Sequence, residues 1–411
     1  MVVQPIEGGG AVLPPAEPDE FRYARTMPAM SQSTLREVLA LASRPGVLSL
    51  AVGLPAVELF PAADLARVTS DLLARDPGAL NYGIPYQPLK ARIVEMMAAR
   101  GVDCRPEQVF LTTGSQQSMD LLVHMLVDPG APVLLEETVY DGIQMAMKRL
   151  GARPVTVPTD PETGIDVDAI EALLEGGLRP ALLYTITDGH NPLGVSISLE
   201  KRRRLAELAR RHRLPILEDD AYGFLYFGSE PAPPLRAFED RWVFYLGSFS
   251  KTLAPALRAG WAVVPEELVP RLAALKHAAD LDTPSFTHRV IAAYLETGRL
   301  PEHLALLRGE YRRRRDVILQ ALDRYFPPGL RWTRPEAGMF VWVELPAGLD
   351  TAQILRRAVE DEQVAFSPGV AFAAGGSHAN HCLRLNFTFC QPEQIEEGVR
   401  RLARVLTAVL G

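Results

Sequence analysis

The residues best placed to do chemistry cluster in four short segments. The most informative is Tyr245-Leu246-Gly247-Ser248-Phe249-Ser250-Lys251-Thr252, followed by Arg258. Lys251 comes directly after an apolar run and a turn of small residues, where its amine can be desolvated. Desolvation lowers an amine's pKa and makes it a nucleophile able to form a reversible imine with a carbonyl compound. Ser248, Ser250 and Arg258 add hydroxyls and a planar cation that can hold a phosphate beside that amine. Alone, Ser-x-Ser-Lys reads equally well as a loop with a surface lysine; its neighbours favour a site. A second segment, Leu217-Glu218-Asp219-Asp220-Ala221-Tyr222, places acids and a phenol where a strand is expected to end. Asp219 is the candidate partner for a cationic ring nitrogen. The rival readings are a metal cluster or a solvated loop, but no histidine or cysteine lies close by to complete a metal set.

Two weaker segments complete the group. Thr113-Gly114-Ser115-Gln116-Gln117 is a glycine turn opening a helix, so its backbone amides can face an anion with the helix dipole behind them. Turns of this kind are also ordinary strand-to-helix punctuation. Asn191-Pro192-Leu193-Gly194 offers an amide donor in a loop stiffened by proline and glycine, or simply an Asn-Pro turn.

These segments need a frame. From about residue 103 to 249 short apolar runs alternate with longer amphipathic stretches, the pattern of βαβ units around a mainly parallel sheet. Strands are expected at Val109 to Leu111, Pro132 to Glu136, Ala181 to Ile186, Pro215 to Leu217 and Trp242 to Leu246, each apolar enough to be buried on both faces. Beyond Lys251 a helix is expected over Glu266 to Ala278. A long one should follow from His288 to about Tyr325, broken near Gly298 and Pro301. Within it Arg312-Arg313-Arg314-Arg315 reads as a solvated face whose arginine stems cover apolar surface. Residues 330 to 411 alternate strands, such as Met339 to Glu344 and Leu383 to Phe389, with helices, as a smaller α+β unit would.

The 411 residues are 47 % hydrophobic and 23 % charged, enough for a large core divided among domains. A formal net charge of −7, with basic residues spread along the chain, gives no electrostatic case for nucleic acid or an anionic membrane surface. Cys104, Cys382 and Cys390 suggest neither a disulfide framework nor a metal pair, which fits a reducing cytoplasm. The first residues lack a signal peptide's basic segment and apolar run, and no apolar stretch approaches the roughly 20 residues of a membrane span.

In this order and spacing the segments resemble the fold-type I pyridoxal 5'-phosphate (PLP) enzymes of the aspartate aminotransferase superfamily, class I/II. The closest resemblance is to the branch of 2-aminoadipate, aromatic and branched-chain aminotransferases, which also supplies the enzyme-like domain of the MocR-type regulators. Further matching stretches are Ser33-Thr34-Leu35-Arg36-Glu37, Gly53-Leu54-Pro55, Leu59-Phe60-Pro61, Arg334-Pro335, Gly338 to Trp342 and Leu383-Arg384-Leu385. The resemblance implies an α/β fold, with a large domain built on a seven-stranded, mainly parallel sheet sandwiched by helices and a smaller α+β domain. Residues 1–30 would be a flexible arm, 31–60 a segment reaching the small domain and active site, 61–285 the PLP-binding domain and 286–411 the small domain.

By the same resemblance, Lys251 would hold the cofactor as an aldimine and shuttle the proton, and Asp219 would pair the ring nitrogen. Asn191 and Tyr222 would hold the 3'-oxygen, and Tyr140 would stack on the ring. Ser115, Gln116, Ser248, Ser250 and Arg258 would hold the phosphate, with Tyr82 entering from the partner of a homodimer. Arg384 would clamp the substrate carboxylate near Asn191 and Gly53; an arginine within an apolar run is costly to bury unless it meets an anion. Arg36 would meet an acidic substrate side chain or form a surface salt bridge. The implied reaction is ping-pong transfer of an amino group between an L-amino acid and a 2-oxo acid, with glutamate and 2-oxoglutarate as one expected pair. Asp188-Gly189-His190 replaces the usual residues before Asn191, so a histidine and an acid are expected to enter the loop beside the cofactor. His190 then reads either as a packing residue or as a proton-transfer group. That departure keeps a second expectation open, another PLP reaction such as oxidation, elimination or cyclisation. A remoter one is a MocR-like binding protein, for which about 30 residues before the first match are too few to form a DNA-reading domain.

Overall fold

The computed structural model describes residues 40–411 apart from Ser43, Ser229 and Ser377. The expected N-terminal arm, the Ser33 to Glu37 stretch and Arg36 lie outside the described residues.

Seven strands form the larger sheet: β1 (Val109–Thr112), β2 (Pro132–Glu136), β3 (Arg153–Val157), β4 (Leu182–Ile186), β5 (Ile216–Asp220), β6 (Val243–Ser248) and β7 (Gly260–Val263). Their order is β1-β7-β6-β5-β4-β2-β3. All pairings are parallel except those of β7, which runs antiparallel to both β6 and β1. The central strands are short and buried throughout, as a sheet covered on both faces demands, while edge strand β3 begins exposed. Because β7 returns beside β6, the segment joining them, which carries Lys251 and Arg258, is held at one end of the sheet.

The helices that position the site are α1 (Gln87–Ala98), α2 (Ser115–Leu126), α3 (Asp141–Leu150), α4 (Leu199–His212), α5 (Val269–Asp280), α6 (Ser285–Glu296) and α7 (Leu300–Tyr325). The expected break in the long helix is real, but Pro301 does not cause it. Gly298 turns left-handed at φ +71° just past α6, whereas Pro301 lies in the first turn of α7, where a missing N–H costs nothing.

A smaller antiparallel sheet, ordered β8-β9-β11-β10, consists of β8 (Arg331–Trp332), β9 (Phe340–Glu344), β10 (Ser367–Pro368) and β11 (Cys382–Asn386). The last strand stops short of the expected Phe389. Leu48–Ser49 pairs with Val364–Ala365, which brings the following segment, including Gly53, alongside this sheet.

Two expectations are corrected here. The acids do not follow a strand: β5 runs through Glu218, Asp219 and Asp220, all buried. Nor is the arginine run simply solvated. Arg312 and Arg313 are exposed, but Arg314 is buried and donates to Glu58 (2.5 Å), Glu310 (2.8 Å) and the carbonyls of Thr388 (2.7 Å) and Cys390 (2.9 Å), pinning α7 to two distant segments.

Among the described residues no helix is long and apolar enough to cross a membrane, and no group of acids, histidines or cysteines is arranged to hold a metal. The three cysteines are free and buried.

Candidate active site

The carboxyl ends of β1, β2, β4, β5 and β6 converge on a cavity of about 290 Å³, where open parallel sheets bind ligands. Lys251 and Asp219 line it together, with Ser115, Gln116, Tyr140, Asn191, Tyr222, Ser248, Ser250, Arg258, Arg384 and Gly53.

One side is built to receive an anion. Gly114 holds φ +101° at the entrance to α2, and a Cβ there would meet the Arg258 guanidinium at 2.9 Å, so only glycine lets this backbone pass. The start of α2, at Ser115 and Gln116, lines the cavity with the positive end of the helix dipole. Arg258 Nη2 donates to the Thr113 carbonyl at 2.8 Å, and Ser248 Oγ lies 3.0 Å from Ser250 Oγ.

The floor carries a carboxylate that the chain only half satisfies. Asp219 Oδ2 accepts from the Tyr184 hydroxyl at 2.8 Å, whereas Oδ1 is buried and finds no partner among the described residues. Burial pushes the Asp219 pKa up to about 6 despite the Tyr184 hydrogen bond, and nearby Asp220 adds to the rise. An oxygen left this way suits a protonated ring nitrogen. Lys251 Nζ donates to the Gly53 carbonyl at 2.7 Å and has no ion-pair partner among the described residues. Burial lowers its pKa to about 8, with the positive charges of Arg384 and Arg258 acting in the same direction.

The opposite wall comes from the small sheet. Arg384 in β11 donates to Asn191 Oδ1 (2.7 Å), the Ala51 carbonyl (2.6 Å) and Ser367 Oγ (3.2 Å). Its guanidinium lies between the rings of Phe340 and Phe372, 4.3 and 4.7 Å from their centroids. Its Nε has no partner, and no carboxylate pairs with it among the described residues. Burial lowers its pKa to about 10. The Asn191 side chain also hydrogen-bonds Tyr222, whose pKa burial raises, so one amide bridges the Arg384 guanidinium and the phenol. Gly53 is small for a reason: a Cβ there would press to 3.2 Å from Phe340.

Other expectations fall outside this constellation. Tyr82 is 83 % exposed and away from its own chain's cavity. Asp188 and His190 do not line the cavity, although the charge of His190 acts on Asp219. Asp188 turns back to Arg202 (2.6 Å) and Arg100 (3.2 Å), and His190, fully buried, meets Glu136 at 3.1 Å. Residues the sequence reading missed include Tyr184, Phe372 and Ser367. Phe340 was present in the matching stretch but carried no role.

A desolvated amine, an anion cradle and a half-satisfied carboxylate at the carboxyl ends of a parallel sheet define a site for a phosphorylated ring with an aldehyde and a basic nitrogen. Residues 45–402 match the family described as aminotransferase class I and II, and the chain belongs to it. It is similar to the 2-aminoadipate transaminase of Thermus thermophilus, 44 % identical over 92 % of this chain and 94 % of that one. It is also similar to aromatic-amino-acid aminotransferase 1 of Thermococcus litoralis, 37 % identical over 92 % of each. The crystal structure of the Thermus thermophilus alpha-aminoadipate aminotransferase, complexed with N-(5'-phosphopyridoxyl)-L-leucine, superposes with a TM-score of 0.87 at 41 % identity, covering 94 % of this chain and 98 % of that one. Membership makes this a PLP-dependent transaminase of fold type I.

Proposed function

We propose that the enzyme moves the amino group between glutamate or 2-oxoglutarate and a hydrophobic or long-chain amino acid and its 2-oxo acid. The carrying observation is that Lys251 and Asp219, one of whose oxygens has no partner among the described residues, line one cavity beside an anion cradle. When bound, the cofactor supplies an electron sink that stabilises negative charge at the amino acid's α-carbon.

The chain's own residues do the rest. Lys251, whose pKa of about 8 leaves a useful neutral fraction near physiological pH, carries the aldehyde and moves the α-proton. Asp219 keeps the ring nitrogen protonated. Tyr222 and Asn191 hold the ring oxygen, and Tyr140 covers the ring face. Ser115, Gln116, Ser248, Ser250 and Arg258 take the phosphate. Arg384 orients the substrate α-carboxylate through two parallel hydrogen bonds, near Gly53. Tyr82, exposed on its own chain, fits a phosphate contact across a homodimer, with each site completed by the partner. Arg36 would meet an acidic substrate side chain. A large cofactor domain (61–285), a small domain (286–411) and a cytoplasmic location complete this reading. The choice of substrates follows the relatives, which are named for 2-aminoadipate and aromatic amino acids, and the leucine adduct bound by one of them.

The test is spectral. Glutamate and at least one hydrophobic or long-chain amino acid, added to the purified holoenzyme, should convert the cofactor's absorbance to that of its pyridoxamine form. Lys251→Ala should turn over neither. Full activity in that variant would overturn the assignment.

A further inference from the structure

Tyr184 and Asp219 lie on neighbouring strands, β4 and β5. Ile186 is in register with Asp219, and Tyr184, two residues before it, projects to the same face, so its phenol reaches diagonally to the carboxylate. Ile186 and Asp219 line the cavity; Tyr184 is fully buried and does not. Its hydroxyl donates to Asp219 Oδ2 at 2.8 Å, leaving Oδ1 as the oxygen without a partner. A carboxylate free to rotate would present either oxygen. Held at one of them by the hydroxyl of a fully buried ring, it presents the other.

We propose that Tyr184 is a positioning residue: it clamps Asp219 through Oδ2 and thereby aims Oδ1 at the cofactor's ring nitrogen. This rests on the cofactor reading above. The phenol serves only as a donor here, because burial and the neighbouring Asp219 hold its pKa well above the usual value. The same hydrogen bond favours the charged carboxylate against both burial and the repulsion of Asp220. Tyr184 therefore fixes the direction of the carboxylate and helps keep its charge, without touching any ligand.

The experiment measures cofactor affinity instead of turnover. Equilibrium dialysis compares PLP with the carbocyclic analogue in which CH replaces the ring nitrogen, on the wild-type protein and on Tyr184→Phe, which keeps the ring and its packing. One hydrogen bond to a charged group corresponds to about a 10-fold loss of PLP affinity in the variant. The analogue, which offers Oδ1 nothing to bind, should change by less than about 2-fold. An equal loss for both ligands would mean that Tyr184 matters only for packing, and no loss for either would mean that it matters for neither; each result overturns the proposal. A second comparison uses the Asp219→Asn background, where adding Tyr184→Phe should leave PLP affinity unchanged. A further loss there would show an effect that does not pass through Asp219. A wild-type protein that binds neither ligand would defeat the cofactor reading itself, a different failure.

Discussion

The two faces of strand β5 carry the same kind of residue and put it to opposite uses. Glu218 and Asp220 project to one face and Asp219 to the other, because successive residues of a strand alternate. Both Glu218 oxygens accept backbone amides, from Leu235 at 2.6 Å and Arg236 at 2.8 Å. Asp220 accepts from Gly223 N (2.6 Å) and the Tyr245 hydroxyl (2.9 Å) and pairs with Arg100 at 3.0 Å. Asp219 has one donor and one bare oxygen. Buried arginines divide in the same way. Arg202 grips Asp188 with both terminal nitrogens and gives its remaining protons to the carbonyls of Thr187, Ile197 and Pro233, whereas Arg384 has no carboxylate and no Nε partner among the described residues. Burying a charge is costly unless the protein satisfies it. A shortfall alone does not mark a ligand site, since buried Arg236 also has Nε and Nη2 without partners among the described residues; at Asp219 and Arg384 the shortfall coincides with the cavity.

The comparison breaks first, if it breaks, at Asp219. Asp219→Asn should lower kcat by about 10³-fold or more, roughly 4 kcal/mol of transition-state stabilisation, while making the apoprotein more stable. The sign follows from the raised pKa, 3.8 to about 6. The folded apoprotein holds that proton more tightly than the unfolded chain, so the stability it contributes is whole below about pH 4 and lost as pH rises through 6. Apoprotein melts at pH 8 should therefore show the variant ahead by roughly 1–3 kcal/mol, with the gap closing near pH 4. A variant less stable than wild type at pH 8 would contradict the reading of this acid as unsatisfied. Arg202→Met should do the reverse. It strands Asp188 on Arg100 alone and should destabilise the protein by about 3 kcal/mol in urea melts. Activity per folded molecule should stay within a few-fold.

Much of this contrast was legible in the sequence, and its limits have physical causes. Lys251, Asp219, Asn191 and Arg384 could be singled out because each sits in a short segment whose residue types go together, and the structure brings all four to one cavity. Strand positions were readable from apolar runs, but the end of β5 was not. Three consecutive acids look like a loop, and donors such as Leu235, Arg236, Tyr184, Tyr245 and Arg100, distant in sequence, make them tolerable inside a strand. Arg314 was misread for the same reason, since its partners at Glu58 and Thr388 are far away in sequence. Phe372 and Ser367 come from a stretch with no local signal, and they matter only because β10 pairs with β11 at Arg384.

A smaller effect sharpens the arginine half of the comparison. Arg384→Lys keeps the charge but loses the planar pair of donors and the fit between Phe340 and Phe372. It should raise KM for the amino acid by about 10- to 100-fold, corresponding to roughly 1.5–3 kcal/mol, with little change in melting temperature. Equal KM values for the variant and wild type would remove Arg384 from substrate binding.

The smallest expected effect decides between the two readings of the loop before Asn191. The Leu193 amide donates to His190 Nδ1 at 3.4 Å, so Nε2 carries the proton given to Glu136. That carboxylate also accepts from Thr185 and Thr159. Both ring nitrogens are thus committed within the fold, on a side chain with no exposed surface, and neither is left to exchange a proton with a substrate. His190→Gln keeps a donor for Glu136 and gives up only the weak contact from Leu193, so it should cost about 1 kcal/mol of stability and leave kcat within about 2-fold. A histidine acting as general acid or base would instead contribute 10²-fold or more. Steady-state kcat across pH 6 to 9 for this one variant therefore separates a residue that holds the Asn191 loop in place from one that takes part in the reaction.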